Sequence, residues 1–234
     1  MFRKIALVFS LLPACVATGV QADMTEADLL VYRVDNHNSP APSLSRIMVT
    51  DTMMRMDEVG DDGMQGYLLY DRKERLVLSV DPETRTIMVI APSRDATATK
   101  PAGTLDIQSR LLDDAPLFAG KKPHEYVISI EGNECINLVA VEGETPRTMN
   151  ALREMAGVIA GRHKRLLASA PETTEDDCKL LLDAFYPGIE YSKGLMLTLI
   201  SDNEKRQLVD YKPAMQVDRE LLEAPLEYNR FPMP

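Results

Sequence analysis

Short runs of strand-forming residues recur about every ten positions through the first half of this chain, separated by polar turns. The runs are Leu29 to Val34, Ser45 to Thr50, Met53 to Glu58, Gly66 to Asp71, Arg75 to Val80 and Thr86 to Ile90. Between them stand Thr50-Asp51, Gly60-Asp61-Asp62-Gly63, Asp71-Arg72-Lys73 and Asp81-Pro82-Glu83. Asp and Gly in such places favour tight turns, because a short carboxylate bonds the backbone two residues on and Gly accepts positive φ. Strands this close in sequence pair with their neighbours, so the pattern predicts an antiparallel meander. Side chains alternate across a strand, and the alternation groups Met54, Met56, Leu76, Leu78, Val80, Ile87 and Val89 on one buried face. Tyr67 to Tyr70 carries apolar residues on both sides, which predicts a second layer or an apolar cavity over the other face.

The second half mixes elements. Residues 91–103 read as a loop, and strands resume near 104–111 and 124–142. Pro146 opens the best helix, with Thr145 placed to cap it. Met149, Leu152, Ala156, Ile159, His163 and Leu166 step by threes and fours, one apolar stripe. A second helix is predicted from Glu175 to Tyr186, strands at Leu195 to Ile200 and Arg206 to Tyr211, a short helix at Val217 to Glu223, and an extended tail.

The N-terminus predicts export. Arg3 and Lys4 precede an apolar run, Ile5 to Leu12, and Val20-Gln21-Ala22 resembles a signal-peptidase site. Residues 1–22 would be the signal peptide and 23–234 a single periplasmic domain. Leu12-Pro13-Ala14-Cys15 offers a second reading, a lipobox with a lipid anchor on Cys15. The apolar run falls short of the roughly 20 residues a spanning helix needs, and no later run reaches that length, so the mature protein is not expected to span a membrane. Losing Arg3 and Lys4 takes the net charge from −10 to −12. Such a surface repels a phosphate backbone, which argues against nucleic acid as a partner. Cys135 and Cys178 would be the only cysteines left, an even pair that predicts one disulfide in an oxidising compartment.

No catalytic signature is present: no nucleophile elbow, phosphate loop, dinucleotide fingerprint or zinc motif. The three histidines, His37, His124 and His163, fall in different elements. Asp57, Glu58, Asp61 and Asp62 lack the alternation of a calcium loop and read as a solvated turn. The chain is therefore expected to be non-catalytic, without metal or cofactor. Methionine is abundant, 13 in all, and Met53, Met54 and Met56 raise the alternative of copper handling through thioethers. Met also lines adaptable apolar pockets.

The order of pieces carries a resemblance. Met54-Arg55-Met56-Asp57, Tyr67-Leu68-Leu69-Tyr70-Asp71 and Arg85-Thr86-Ile87-Met88-Val89-Ile90 are followed by Gly120, a lone Cys135, a long helix and a lone Cys178. Lys193-Gly194-Leu195-Met196 and a closing Leu222-Glu223-Ala224-Pro225-Leu226-Glu227-Tyr228 complete it. This resembles a family of uncharacterised proteobacterial periplasmic proteins with a LolA/LolB-like half-barrel. The resemblance implies an α+β fold: a curved antiparallel β-sheet, an incomplete barrel, wrapped around two or three helices. It implies a binding or carrier protein for a hydrophobic lipid or acyl ligand, with lipid or a lipidated protein as partner but without implying lipoprotein transport, on a concave face lined by Met54, Met56, Leu68, Leu78, Ile87, Val89, Leu152 and Ile159. It also implies an arginine that holds lid helices closed, with Arg46 and Arg55 as candidates by position. An envelope protein-interaction module without a small ligand is the other expectation.

Overall fold

The computed structural model describes residues 23–37, 39, 41–60, 63–93, 103–169 and 178–233. The predicted signal peptide, Cys15 included, lies outside the described residues. So do Asp61, Asp62 and the predicted start of the second helix.

Strands β1 (Met24–Asn36), β2 (Ser43–Val49), β3 (Met53–Gly60), β4 (Gly63–Asp71), β5 (Leu76–Asp81) and β6 (Thr86–Ile90) form the predicted meander. The carboxylates of Asp71 and Asp81 each accept backbone N–H groups two and three residues on, closing the β4–β5 and β5–β6 turns. A second meander follows, β7 (Leu105–Leu111), β8 (His124–Ile130) and β9 (Asn133–Val141). Helices α1 (Pro146–Ser169) and α2 (Cys178–Phe185) come next, then β10 (Leu195–Ile200), β11 (Glu204–Asp218) and β12 (Asn229–Pro232). All twelve strands join one sheet, ordered β12-β6-β5-β4-β3-β2-β1-β11-β10-β9-β8-β7. The long β1–β11 pair welds the two meanders together.

This corrects the expected fold. The sheet is open and mixed, not an antiparallel incomplete barrel around helices. Its outer strands are β7 and β12, and β12 runs parallel to β6. Two α-helices occur among the described residues. The predicted third helix is a 3-10 turn, Arg219–Leu222, whose Asp218 side chain caps the Glu220 amide. The tail that follows does not hang free. The Asn229 amide bonds Arg85 O and the Met233 amide bonds Val89 O, so the tail becomes the parallel edge strand.

Strand β11 is longer than its sequence suggests. Pro213 lacks an N–H and reads as a strand end. Here it sits at the irregularity where the β1–β11 register shifts between Ala27 and Leu29. Ala214 takes φ +54° in the same bulge, so the strand bends and continues.

The main core fills the face beneath α1 and α2. It gathers Leu30, Tyr32, Ile47, Met54, Tyr70, Val77 and Ile90 from the first half of the chain, Ile128, Ile136 and Leu138 from the second, and Leu152, Met155 and Leu182 from the helices. The opposite face is covered by the C-terminal strap, 219–228. Leu222 enters a cluster with Ala27, Leu29 and Met48, while Ala224 and Tyr228 lie on Leu69, Leu78, Val80 and Ile87. The second layer expected over Tyr67 to Tyr70 is thus the chain's own C-terminus. The Cys135–Cys178 disulfide forms, tying the first residue of α2 to β9. No helix among the described residues is long and apolar enough to cross a membrane.

Candidate functional site

Strand pairing divides the predicted ligand-binding residues between the two faces. Met54 stands opposite Tyr70, and Tyr70 opposite Val77, so the face of Met54 continues to Val77 and Ile90. Leu78 stands opposite Leu69 and Val89, on the other side. Met54, Met56, Leu68, Leu152 and Ile159 therefore join the core under the helices, while Leu78, Ile87 and Val89 lie beneath the strap. The single concave surface expected from alternation does not exist. Met54, Ile87 and Leu152 are each at most 1% exposed and pack against protein. Met53 belongs with the strap clusters and faces away from Met54 and Met56, so these three sulfurs do not converge on one point.

Arg46 and Arg55 also lie on the strap face. Both bind Asp57, which is fully buried: Arg46 Nη2 reaches Oδ2 at 2.5 Å and Arg55 Nε reaches Oδ1 at 2.6 Å. Arg55 stacks 3.7 Å above the Tyr67 ring and donates to Leu221 O at 2.7 Å. What an arginine holds here is the strap, not a helical lid.

Between strap and sheet opens a cleft of about 870 Å³. Its apolar lining is Met53, Leu78, Leu222, Ala224 and Leu226. Leu226 is 92% exposed. The charged rim carries Arg147, Arg219 and Arg230 beside Glu26, Asp51, Asp71 and Glu223. Arg219 pairs with Asp23 at 3.0 Å, and Arg230 has no ion pair among the described residues.

Arg147, near the start of α1, is the best-anchored rim residue. It forks onto Asp28 with bonds of 3.1 and 2.6 Å and also approaches Glu26 and Asp51. Asp28 accepts further bonds from Thr148 Oγ1 and the Ala214 amide. Burial pushes the Asp28 carboxyl up, but the bonds from Arg147, Thr148 and Ala214 outweigh it and bring it below its usual value. The carboxylate stands at the positive end of the helix, where it is favoured. Thr145, expected as the cap, adopts φ +47° and leaves its buried hydroxyl without a hydrogen bond. Asp28→Asn is expected to cost about 2 kcal/mol, because a charged acceptor with several donors becomes neutral. With a depressed folded pKa, the Asp28 contribution is complete above the unfolded value near 3.8 and is lost as the pH falls through the lower folded value. Urea unfolding from about pH 5 down to about pH 2, the span around and below the ordinary carboxylate value, should show that acid-side loss in the parent and a shallower one in Asp28→Asn.

A second cleft of about 290 Å³ adjoins the first across Asp51 and Thr52. Tyr70, Arg72, Lys73, Arg75 and Glu154 complete it. The β4–β5 turn supplies the three cations, and α1 supplies Glu154.

Other ionisable groups sit below the helix pair. Glu190 is buried, which pushes its carboxyl up against the opposing pull of Lys179, 3.9 Å away. Lys179 also pairs with Asp183. His163 is held below its usual value by burial, and its Nδ1 lacks a hydrogen-bond partner. Among the described residues no cluster of three His, Cys, Asp or Glu side chains is arranged to hold a metal.

Sequence reasoning missed Asp28, Arg147, the strap and the turn cations. One signal was present: Asp28 interrupts the apolar stretch Ala27-Asp28-Leu29-Leu30, and a lone acid on a buried face needs a partner.

No protein-family model matches the chain, and no curated protein matches it. Among solved structures, an uncharacterized conserved protein from Thermus thermophilus is similar over 88% of this chain and 90% of its own length, at 9% identity and a TM-score of 0.46. A structure of PNGF-II is similar over 89% of this chain, at 8% identity and a TM-score of 0.41, and this chain spans 31% of its length.

Proposed function

We propose that this protein is an exported, non-catalytic binding or carrier protein for an amphiphilic ligand, a lipid or an acyl compound. The ligand lies in the cleft between the C-terminal strap and the sheet. One observation carries this reading: a space of about 870 Å³ in which an apolar patch of Met53, Leu78, Leu222, Ala224 and Leu226 adjoins a polar and charged wall. A volume of that order suits a small amphiphile. Met53, Leu78 and Leu222 meet an alkyl chain, and the exposed Leu226 closes over it. The disulfide is compatible with an oxidising compartment such as the periplasm.

Calorimetric titration with decanol and decanoate tests the reading. Saturable binding of both is expected, weakened about tenfold by Leu226→Asp, which replaces an apolar contact with a charge. Ala224→Trp, which fills the cleft, should abolish it. Absence of saturable binding to the parent protein, or unchanged affinity in both variants, would overturn the proposal.

A protein-interaction role is the second reading. The sheet is open at β7, whose residues from Gln108 to Leu111 are exposed, and an open edge accepts an added strand. A partner captured by crosslinking from β7, with no lipid bound, would favour it.

A further inference from the structure

The smaller cleft has features that packing alone does not explain. Tyr70 is 1% exposed, and its hydroxyl makes no hydrogen bond of ordinary geometry; the Arg75 side chain is the donor beside it. Tyr70 forms part of the cleft wall, beside Arg72, Arg75 and Glu154.

The cations around it are unequally satisfied. Arg72 donates twice to Glu154, at 2.9 Å each, and to the carbonyls of Thr50 and Asp51 at 3.3 and 3.2 Å. Its donors are used, and Glu154 is neutralised in the same contact. Asp51 approaches Arg147 in the neighbouring cleft at 3.6 Å. Lys73 and Arg75 have no ion pair among the described residues. Both are exposed and can turn to a ligand, and Arg75 lies within electrostatic reach of Glu154 and Tyr70. The turn that presents them is firm: Asp71 accepts the amides of Lys73 and Glu74 at 3.0 and 2.9 Å. Arg75 itself sits at φ +56°, a left-handed conformation that non-glycine residues rarely adopt.

We propose that this cleft binds a small oxyanion, a phosphate or a carboxylate group, with Lys73 and Arg75 as its charge partners and the Tyr70 hydroxyl as a further donor. A space of about 290 Å³ accommodates such a group but not a whole lipid. The anion comes from one of two sources: a free oxyanion, or the head of an amphiphile whose chain lies across the Asp51-Thr52 wall in the larger cleft. The second source rests on the function proposed above; the site itself does not.

Titration of the full chain with inorganic phosphate, acetate, decyl phosphate and decanol separates these cases. If the source is free, phosphate or acetate saturates the parent protein. If the source is a head group, decyl phosphate binds at least tenfold more tightly than decanol. In either case Arg75→Gln and Tyr70→Phe weaken the oxyanion at least tenfold and leave decanol affinity unchanged. Arg153→Gln, outside the cleft, has no effect. Tyr70→Phe keeps the buried ring and removes only the hydroxyl beside Arg75, so its unfolding midpoint should stay close to that of the parent, which separates lost binding from lost folding. Raised salt should weaken the oxyanion and spare decanol. The inference is overturned if no oxyanion binds, or if Arg75→Gln and Tyr70→Phe bind it as tightly as the parent. Decanol binding alone would then uphold the larger cleft and reject this site, and oxyanion binding without decanol would do the reverse.

Discussion

Asp57→Ala should lower the stability of the protein by about 3–5 kcal/mol, the usual consequence of removing one partner from a buried ion pair. The reason lies in what remains. Asp57 is fully buried and is the shared acceptor for Arg46 and Arg55. The Arg46 side chain is 41% exposed and can turn to water; that of Arg55 is 7% exposed and cannot. Without Asp57, the Arg55 guanidinium keeps the Leu221 carbonyl and the Tyr67 ring but loses its counter-ion. Because Arg55 also pins the strap, the damage reaches the larger cleft, and decanol affinity should fall together with stability. Asp57→Asn, which keeps the shape and one acceptor, should lose less. Replacing both partners with apolar residues, as in Asp57→Val with Arg55→Met, should recover much of the loss, since a buried pair often does no better than a packed apolar one. The chain has no tryptophan, so urea unfolding is best followed by far-UV circular dichroism. A loss below 1 kcal/mol, well under the range for a buried pair, would show that Arg55 finds another partner.

Opening the Cys135–Cys178 disulfide should cost about 4 kcal/mol. The bond spans a sequence separation of 43 residues, and the chain-entropy relation for a loop of that length yields this figure as an upper value. The Cα atoms lie 5.1 Å apart, within the ordinary range for a disulfide. Both cysteines are buried, at 2% and 8% exposure. The cross-link joins α2 to the sheet at the point where α2 begins. Its loss should therefore loosen α2 more than the first meander. Paired Cys135→Ala and Cys178→Ala substitutions should lower the urea midpoint, and amide exchange should rise first in 178–185. Free thiols detected in the denatured, unreduced protein would reject the bond. Equal exchange rates in α2 with and without it would reject the local role.

Much of the local structure was legible because its causes are local. Asp71 and Asp81 mark their turns by bonding amides two and three residues ahead, which a sequence pattern captures. Pro146 begins α1 because its fixed φ and missing N–H suit a first helical position. The cysteine pairing followed from the count of cysteines together with the expected, oxidising compartment. The capping role given to Thr145 failed because its backbone takes φ +47° and its hydroxyl makes no hydrogen bond, while Asp28, far away in sequence, bonds the first-turn side chains Arg147 and Thr148.

Registers were less legible. Alternation along β3 correctly places Met54 with Met56 and opposite Met53. It says nothing about whether Leu78 shares their side. That depends on how residues count through two turns, and pairing Met54 with Tyr70 and Tyr70 with Val77 puts Leu78 on the reverse. The predicted binding surface was divided for this reason alone. The strap was hidden for a related one. Leu222, Ala224 and Tyr228 sit in a segment with too few apolar residues to show a period, and their partners are more than a hundred positions away.

The sequence by itself determined the strands, the turns that space them, the long helix and the cysteine pair, because neighbouring residues decide each of these through backbone preference and short-range hydrogen bonds. Only the tertiary structure decided that the sheet is open and mixed, that its second face is covered by the chain's own C-terminus, and that the clefts lie beside the β2–β3 turn. Those outcomes depend on which distant strands pair and in which register, and burying apolar surface rewards the arrangement as a whole without marking any one residue in advance.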